Sequence, residues 1–350
     1  MTSNRIRCAA IALVALSAAA CRDTTVTDTG TGQDAGRDVQ GTDVVVTDTS
    51  GRDVVTMYTR TDGGGGTTVT IRQIQDLTDA AHPASGARVT LGETGLVALS
   101  PRILLSAVSG SSGFCRFGVW VGNGTTGDFA GIQVQENPAI GSAAGCYDVR
   151  GGIPFDITPG TQITALGNVV YSEFCSGPTG VDRTMCRSWE QTQLGLRTDS
   201  VFTAGSTGTA PAPTTATLAE AASSMGTMPG TRSLAIEADL VQLTNVRIER
   251  TSSTNDAGTF NDYWAVDPAN TASRLHLEDS RMLNSTCVRA YLDAHIGMTI
   301  PSVSGLLEPE FGLWGLHLRS AADFPALDCT ADAGVRDASV DAAADVATGG

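Results

Sequence analysis

This chain contains no lysine. All 22 of its cations are arginine, set against 37 carboxylates, for a net charge of −15. A protein that binds a phosphate backbone neutralises it with clustered cations. The nearest clusters, Arg183 with Arg187 and Arg247 with Arg250, are pairs with acidic neighbours, so nucleic acid is not the expected partner. Aromatic residues make up only 5% of the chain, and between Arg22 and Gly66 Tyr58 stands alone. Long apolar runs are missing as well. The stretch from Cys8 to Ala20 falls short of the ~20 apolar residues a spanning helix needs. Catalytic patterns fail in turn: there is no Gly-x-Ser-x-Gly elbow, no His-Glu-x-x-His and no Walker loop. Ser109 to Gly113 reads as a plain loop, and His317 near Asp323 as a surface or packing pair. No Cys-x-x-Cys occurs, and His82, His276, His295 and His317 do not fall at zinc spacing with cysteines. The expectation is a protein without enzymatic activity, metal or cofactor.

What is present begins at the amino terminus. Arg5 and Arg7 precede the short apolar run, and small residues lead into Cys21. Charged head, apolar centre and small-residue cut site make a secretory signal over residues 1–20. Small residues followed directly by cysteine resemble the lipobox of bacterial lipoproteins, which implies removal of the peptide and lipidation of Cys21. Position −3 is Ala18 where that pattern usually has Leu, so an ordinary signal cut after Ala20 is the alternative. Arg22, not an aspartate, follows the cysteine, which favours passage to the outer membrane or cell surface. Residues 21–66 then carry Asp23, Asp28, Asp34, Asp38, Asp43, Asp48 and Asp53 among Thr, Gly and Val. Such a segment cannot bury enough apolar surface to offset the entropy of ordering it. Its Asp residues are also too sparse for a calcium loop. The same composition returns over residues 330–350. Anchor, disordered linker and disordered acidic tail thus bracket a folded span from about Thr67 to Cys329, with fifteen arginines against twenty-five carboxylates between Gly66 and Thr330.

Cysteine usage fits an oxidising compartment. With Cys8 in the signal and Cys21 lipidated, Cys115, Cys146, Cys175, Cys186, Cys287 and Cys329 remain. Six cysteines allow fifteen pairings. Pairing of neighbours, Cys115–Cys146, Cys175–Cys186 and Cys287–Cys329, is the expected arrangement.

Between the tails the local signals are strands. Val69–Ile74, Arg88–Leu91, Gly118–Val121, Gly131–Gln135, Gln162–Leu166 and Asp239–Leu243 alternate or are β-branched, with Gly, Pro, Asn and Asp between them. Two helices are expected, Thr217–Ala222 and Val288–Ile296. The pattern repeats. Pro159–Phe174 lies on Ile296–Phe311 without a gap, and Phe117–Asn123 on Asn261–Asp267 with Trp120 against Trp264. The openers Val69–Ile74 and Thr215–Glu220 also match, and Pro211-Ala212-Pro213 stands between the copies. The expected fold is mainly β: two tandem barrels over residues 67–210 and 211–329.

The order of an opening strand, Gly86–Leu91, a Trp hairpin, Phe129–Val134 and Pro159–Val169 resembles the OB-fold-like accessory domains of secreted bacterial nucleases. The second copy, closing with Arg319-Ser320-Ala321-Ala322-Asp323, is similar to how such domains end. The resemblance implies two OB-like barrels, but no segment is left for the catalytic domain beside which such modules sit. OB barrels stack bases or sugar rings on strand aromatics, so Trp120, Tyr171, Trp264 and Trp314, with Trp189 in the loop just past Cys186, are the candidate ligand contacts. For the strand aromatics, core or edge packing is the competing role. Two functions compete: an envelope lipoprotein displaying two binding or structural modules to a protein or glycan, and an accessory nucleic-acid- or oligosaccharide-binding protein beside a separate nuclease. A hydrolase with an unrecognised site is a third, weaker reading.

Overall fold

The computed structural model describes residues 66–108, 114–138, 151–175, 190–255, 258–278, 286–310, 312–324 and 327. The expected signal, Cys21, the expected linker up to residue 65 and the acidic stretch 330–350 lie outside them. All described residues belong to one compact unit, which is mainly β.

The first half opens with β1 (Thr67–Val69) and a one-turn helix, Ile71–Gln75. The sequence pattern predicts a strand across Val69–Ile74, and here the structure corrects it. Thr70 stops the strand: its hydroxyl accepts from Gln73 N at 3.1 Å while Gln73 Oε1 accepts from Thr70 N at 2.9 Å. This reciprocal cap starts a helix, and Ile71 and Ile74, three apart, are then both buried on one face. The second half begins in the same way. Strand β11 (Thr214–Ala216) leads to Thr217, which caps the helix Leu218–Ala221 with Glu220. Thr70 therefore corresponds to Thr217, one residue off the register that the sequence repeat suggests. Apolar spacing alone could not see the caps that set it.

The remaining strands of the first half are β2 (Arg88–Leu91), β3 (Val97–Ala98), β4 (Ile103–Val108), β5 (Phe114–Gly122), β6 (Gly131–Glu136), β7 (Thr161–Gly167), β8 (Val169–Cys175), β9 (Glu190–Gly195) and β10 (Val201–Thr207). They run in the order β1-β2-β8-β9-β6-β5-β3-β7-β10, with β4 also on β5. The sheet curls into a half-barrel. Asn168, at φ 54°, sits between β7 and β8, so chain continuity links strands that lie far apart along the sheet. Val119, Val121, Ile132, Val134, Leu166, Val169, Tyr171 and Leu194 fill its inside.

The second half contains a two-stranded ribbon, β12 (Ala222–Ser223) with β13 (Met228–Pro229), and then a closed barrel. Its strands are β14 (Leu240–Asn255), β15 (Gly258–Val266), β16 (Arg274–Glu278), β17 (Thr299–Glu310) and β18 (Leu313–His317). Pairing runs β14-β15-β16-β18-β17 and back to β14, with β16 and β18 parallel and the helix Thr286–Ala294 joining β16 to β17. One long strand serves two neighbours because the β14–β17 ladder skips Asn245 and Pro301. Pro301 has no N–H to give, and Asn245 turns to φ 55°. Strands β5 and β15 are both nine residues long with their Trp seventh. Gly160 (φ 90°) and Gly297 (φ 78°) stand before β7 and β17 in conformations that suit glycine.

Candidate functional site

Alternation along the first half's strands decides what its outer face carries. On β5, Val119 and Val121 point into the core and Arg116, Gly118 and Trp120 point out. On β6, Ile132 and Val134 point in and Gln133 and Gln135 out. Leu194 on β9 and Tyr171 on β8 point in, leaving Gln193, Ser172 and Phe174 outside. Register then aligns the outward residues in rows: Trp120, Gln133, Gln193, Ser172 in one, and Gly118, Gln135, Gly195, Val170 in the next.

One end of this face is covered by the second half. Trp120, Leu99 and Ile103 pack with Ala238, Leu240 and Leu306 in a shared buried cluster. Trp120 Nε1 and Gln133 Nε2 (3.2 Å) both donate to the Glu308 carboxylate. His317 Nε2 lies 3.9 Å from Glu308 Oε2, and its ring stacks 6.3 Å from Trp120. Beside them Glu237, wholly buried, accepts from Thr192 N at 3.0 Å and Thr192 Oγ1 at 2.9 Å, and its backbone carbonyl accepts from Gln75 Nε2 at 2.7 Å. Burial, then the neighbouring Glu308 charge, pushes the Glu237 carboxyl well above its usual range. Asp239 is raised in the same way, mainly by burial. Gly131 permits the contact: a Cβ there would meet Ala238 O at 2.3 Å. Arg319, held by Asp323, donates to Leu99 O at 2.8 Å across the same seam.

The other end stays open. A groove of about 210 Å³ is lined by Arg116, Gln135, Asn137, Gln193, Phe174 and Arg197, with Ser172, Glu173, Gly195 and Leu196 between them. Phe174 is 52% exposed. Arg116 Nε donates to Asn137 Oδ1 at 3.3 Å. The acidic neighbour Glu173 is occupied, its carboxylate accepting from Tyr171 Oη at 2.7 Å and lying 3.2 Å from His82 Nε2. A polar wall, two arginines and one exposed ring thus line the groove, and its one carboxylate residue, Glu173, is engaged by Tyr171 and His82.

The expected contact aromatics are placed otherwise. Trp120 (1% exposed) is the seam residue just described. Tyr171 is fully buried in the core of the half-barrel and Trp314 in that of the closed barrel. Trp264, 6% exposed, donates from Nε1 to Thr251 Oγ1 at 3.0 Å and lies under Arg274, 4.2 Å from its ring. None of these four rings offers an open stacking face, because the competing packing role claims each. Trp189 lies outside the described residues, as do Cys21, Cys146, Cys186 and Cys329. Cys115 is buried on β5, Cys175 ends β8, and Cys287 sits in the first turn of the helix Thr286–Ala294. Phe174, Arg116 and Gln193, which line the groove, are not among the contact residues that the sequence pattern suggests. In the sequence Phe174 only ends the repeated stretch Pro159–Phe174, although its phase, three residues from inward Tyr171, marks it as outward.

Among the described residues no three His, Cys, Asp or Glu side chains gather as a metal site, and no helix is long and apolar enough to cross a membrane. Comparison with protein-family models, curated proteins and solved structures finds no match for this chain.

Proposed function

We propose that this protein is a non-catalytic envelope lipoprotein, anchored through Cys21, whose folded part displays a binding face beyond a disordered linker. The observation that carries the display reading is the outer face of β5, β6, β9 and β8. The second half clamps one end of it and leaves a polar, arginine-bearing groove with an exposed ring at the other. On this reading the two halves are OB-like modules. The pairing order β14-β15-β16-β18-β17, with its parallel β16–β18 pair, supports that description for the second. Membrane attachment is through the lipid, the ligand is a protein or glycan, and the six mature cysteines pair as neighbours. The alternative, an accessory protein holding nucleic acid or oligosaccharide for a separate nuclease, shares the groove but not the charge logic.

Mass spectrometry of the protein from a bacterial host tests the anchor. The expected result is a mature chain beginning at Cys21 with added lipid mass, and a Cys21→Ser form that is not lipidated. A mature terminus elsewhere, or an unmodified Cys21, overturns the lipoprotein reading.

A further inference from the structure

We infer that the groove between Arg116 and Phe174 binds a saccharide carrying a single carboxylate, the sugar ring lying against Phe174 and its carboxylate facing Arg116 and Arg197. This rests on the display reading above and names its ligand.

Size comes first. Drug-sized ligands occupy pockets of roughly 300–1,000 Å³, and this groove offers about 210 Å³, room for one ring and its substituents. A long ligand therefore enters by its end. The lining matches sugar chemistry group by group. Amides both donate and accept, as sugar hydroxyls do: Gln193 offers both, while Gln135, whose Nε2 donates to Gln133 Oε1, offers its carbonyl and Asn137, whose Oδ1 accepts from Arg116, its amide nitrogen. Gln193 is half-buried, and its side-chain amide has no partner among the described residues. Phe174 supplies the one large exposed apolar surface of the groove, suited to the C–H face of a ring. The guanidinium fork fits a carboxylate in two parallel bonds, and Glu173, turned to Tyr171 and His82, leaves that task to Arg116 and Arg197.

Charge narrows the ligand further. Two arginines against the single, already engaged Glu173 leave the groove locally cationic, but a chain of net charge −15 repels polyanions at longer range. One carboxylate is accepted where a phosphate backbone is not. A peptide is a poorer fit, since extended peptides add to a free sheet edge and this groove lies on a sheet face, over paired strands.

Calorimetric titration of the mature full-length chain, carrying Cys21→Ser to keep it free of lipid, decides the matter. Cellobiouronic acid is the probe, with cellobiose and tetrathymidylate for comparison. The expected result is saturable binding of cellobiouronic acid at least tenfold tighter than of cellobiose. Arg116→Ala, Arg197→Ala and Phe174→Ala should each weaken it by about tenfold or more, the effect of losing one charge-assisted or stacking contact, while Phe174→Tyr retains it. All three residues are at the surface, and an unchanged melting temperature shows that each variant is folded. Equal binding of cellobiose overturns the role of the carboxylate. Tighter binding of tetrathymidylate that depends on Arg116 overturns the saccharide in favour of the nucleic-acid alternative. No binding of any probe overturns the inference but leaves the anchor intact, because that reading stands or falls on the mass of the mature terminus.

Discussion

Trp120→Ala gives the sharpest test of how the two halves hold together. The ring is 1% exposed and packs with Leu99, Ile103, Ala238, Leu240 and Leu306, and its Nε1 donates to the buried Glu308. Truncating a buried Trp to Ala costs roughly 3–5 kcal/mol through lost transfer energy and the cavity left behind. Withdrawing one donor from a buried carboxylate adds about 1–3 kcal/mol. The sum, about 4–8 kcal/mol, is a large part of the ~5–15 kcal/mol that stabilises a typical domain. Because each half keeps its own core, the loss falls on their coupling. Guanidinium unfolding followed by far-ultraviolet circular dichroism should show one transition for the parent and two for Trp120→Ala, the first well below the parent midpoint. Trp120→Phe keeps most of the buried area and removes only the N–H, so it should lose about 1–3 kcal/mol and still unfold in one step. A Trp120→Ala protein that unfolds in one transition, within about 1 kcal/mol of the parent, refutes the claim that this residue fastens the seam.

Two further predictions concern the same seam. The carboxyls of Glu237 and Asp239 are raised by burial, so each holds its proton in the folded state after the unfolded chain has lost it. Their contribution is full below the unfolded values near 4 and is lost as pH rises through the folded ones. Urea unfolding at pH 5 and pH 8 should show Glu237→Gln losing less stability over that interval than the parent, and equal losses refute the assignment. Gly131→Ala places a Cβ 2.3 Å from the Ala238 carbonyl, a backbone atom that cannot step aside, and should destabilise by about 1–3 kcal/mol. Gly195→Ala, whose nearest neighbour is 3.7 Å away, should shift the melting temperature far less, and an equal shift in both would show that the close approach is unimportant.

Much of the fold was legible because its signals are local. Val119 and Val121, or Ile132 and Val134, alternate as strand residues must when one face is buried, and the strands over Arg88–Leu91, Gly131–Glu136 and Thr161–Gly167 follow. The helices at Leu218 and Thr286 were legible too. The helix at Ile71 was not, since Val69 and Ile71 are spaced as in a strand and Ile71 and Ile74 as in a helix, and only the Thr70–Gln73 cap resolves them. The candidate site was nearly illegible. Alternation distinguishes the two faces of a strand but not solvent from a neighbouring sheet, so Trp120 and Phe174 carry the same mark, outward, and opposite fates.

The sequence by itself determined the predominance of strands, the repeat with Trp120 against Trp264, and the acidic, lysine-free balance that disfavours polyanionic partners. These are properties of composition and spacing, fixed before any long-range contact forms. Tertiary structure alone decided that the repeat closes fully in one half and only partly in the other. It also decided that Trp120 is covered by Glu308 and Leu306 while Phe174 stays open and Gln193 only half-buried. Residues 120 and 308 meet only because register aligns β5 with β6 and Gly131 lets Ala238 approach, and no pattern within a single strand encodes that meeting.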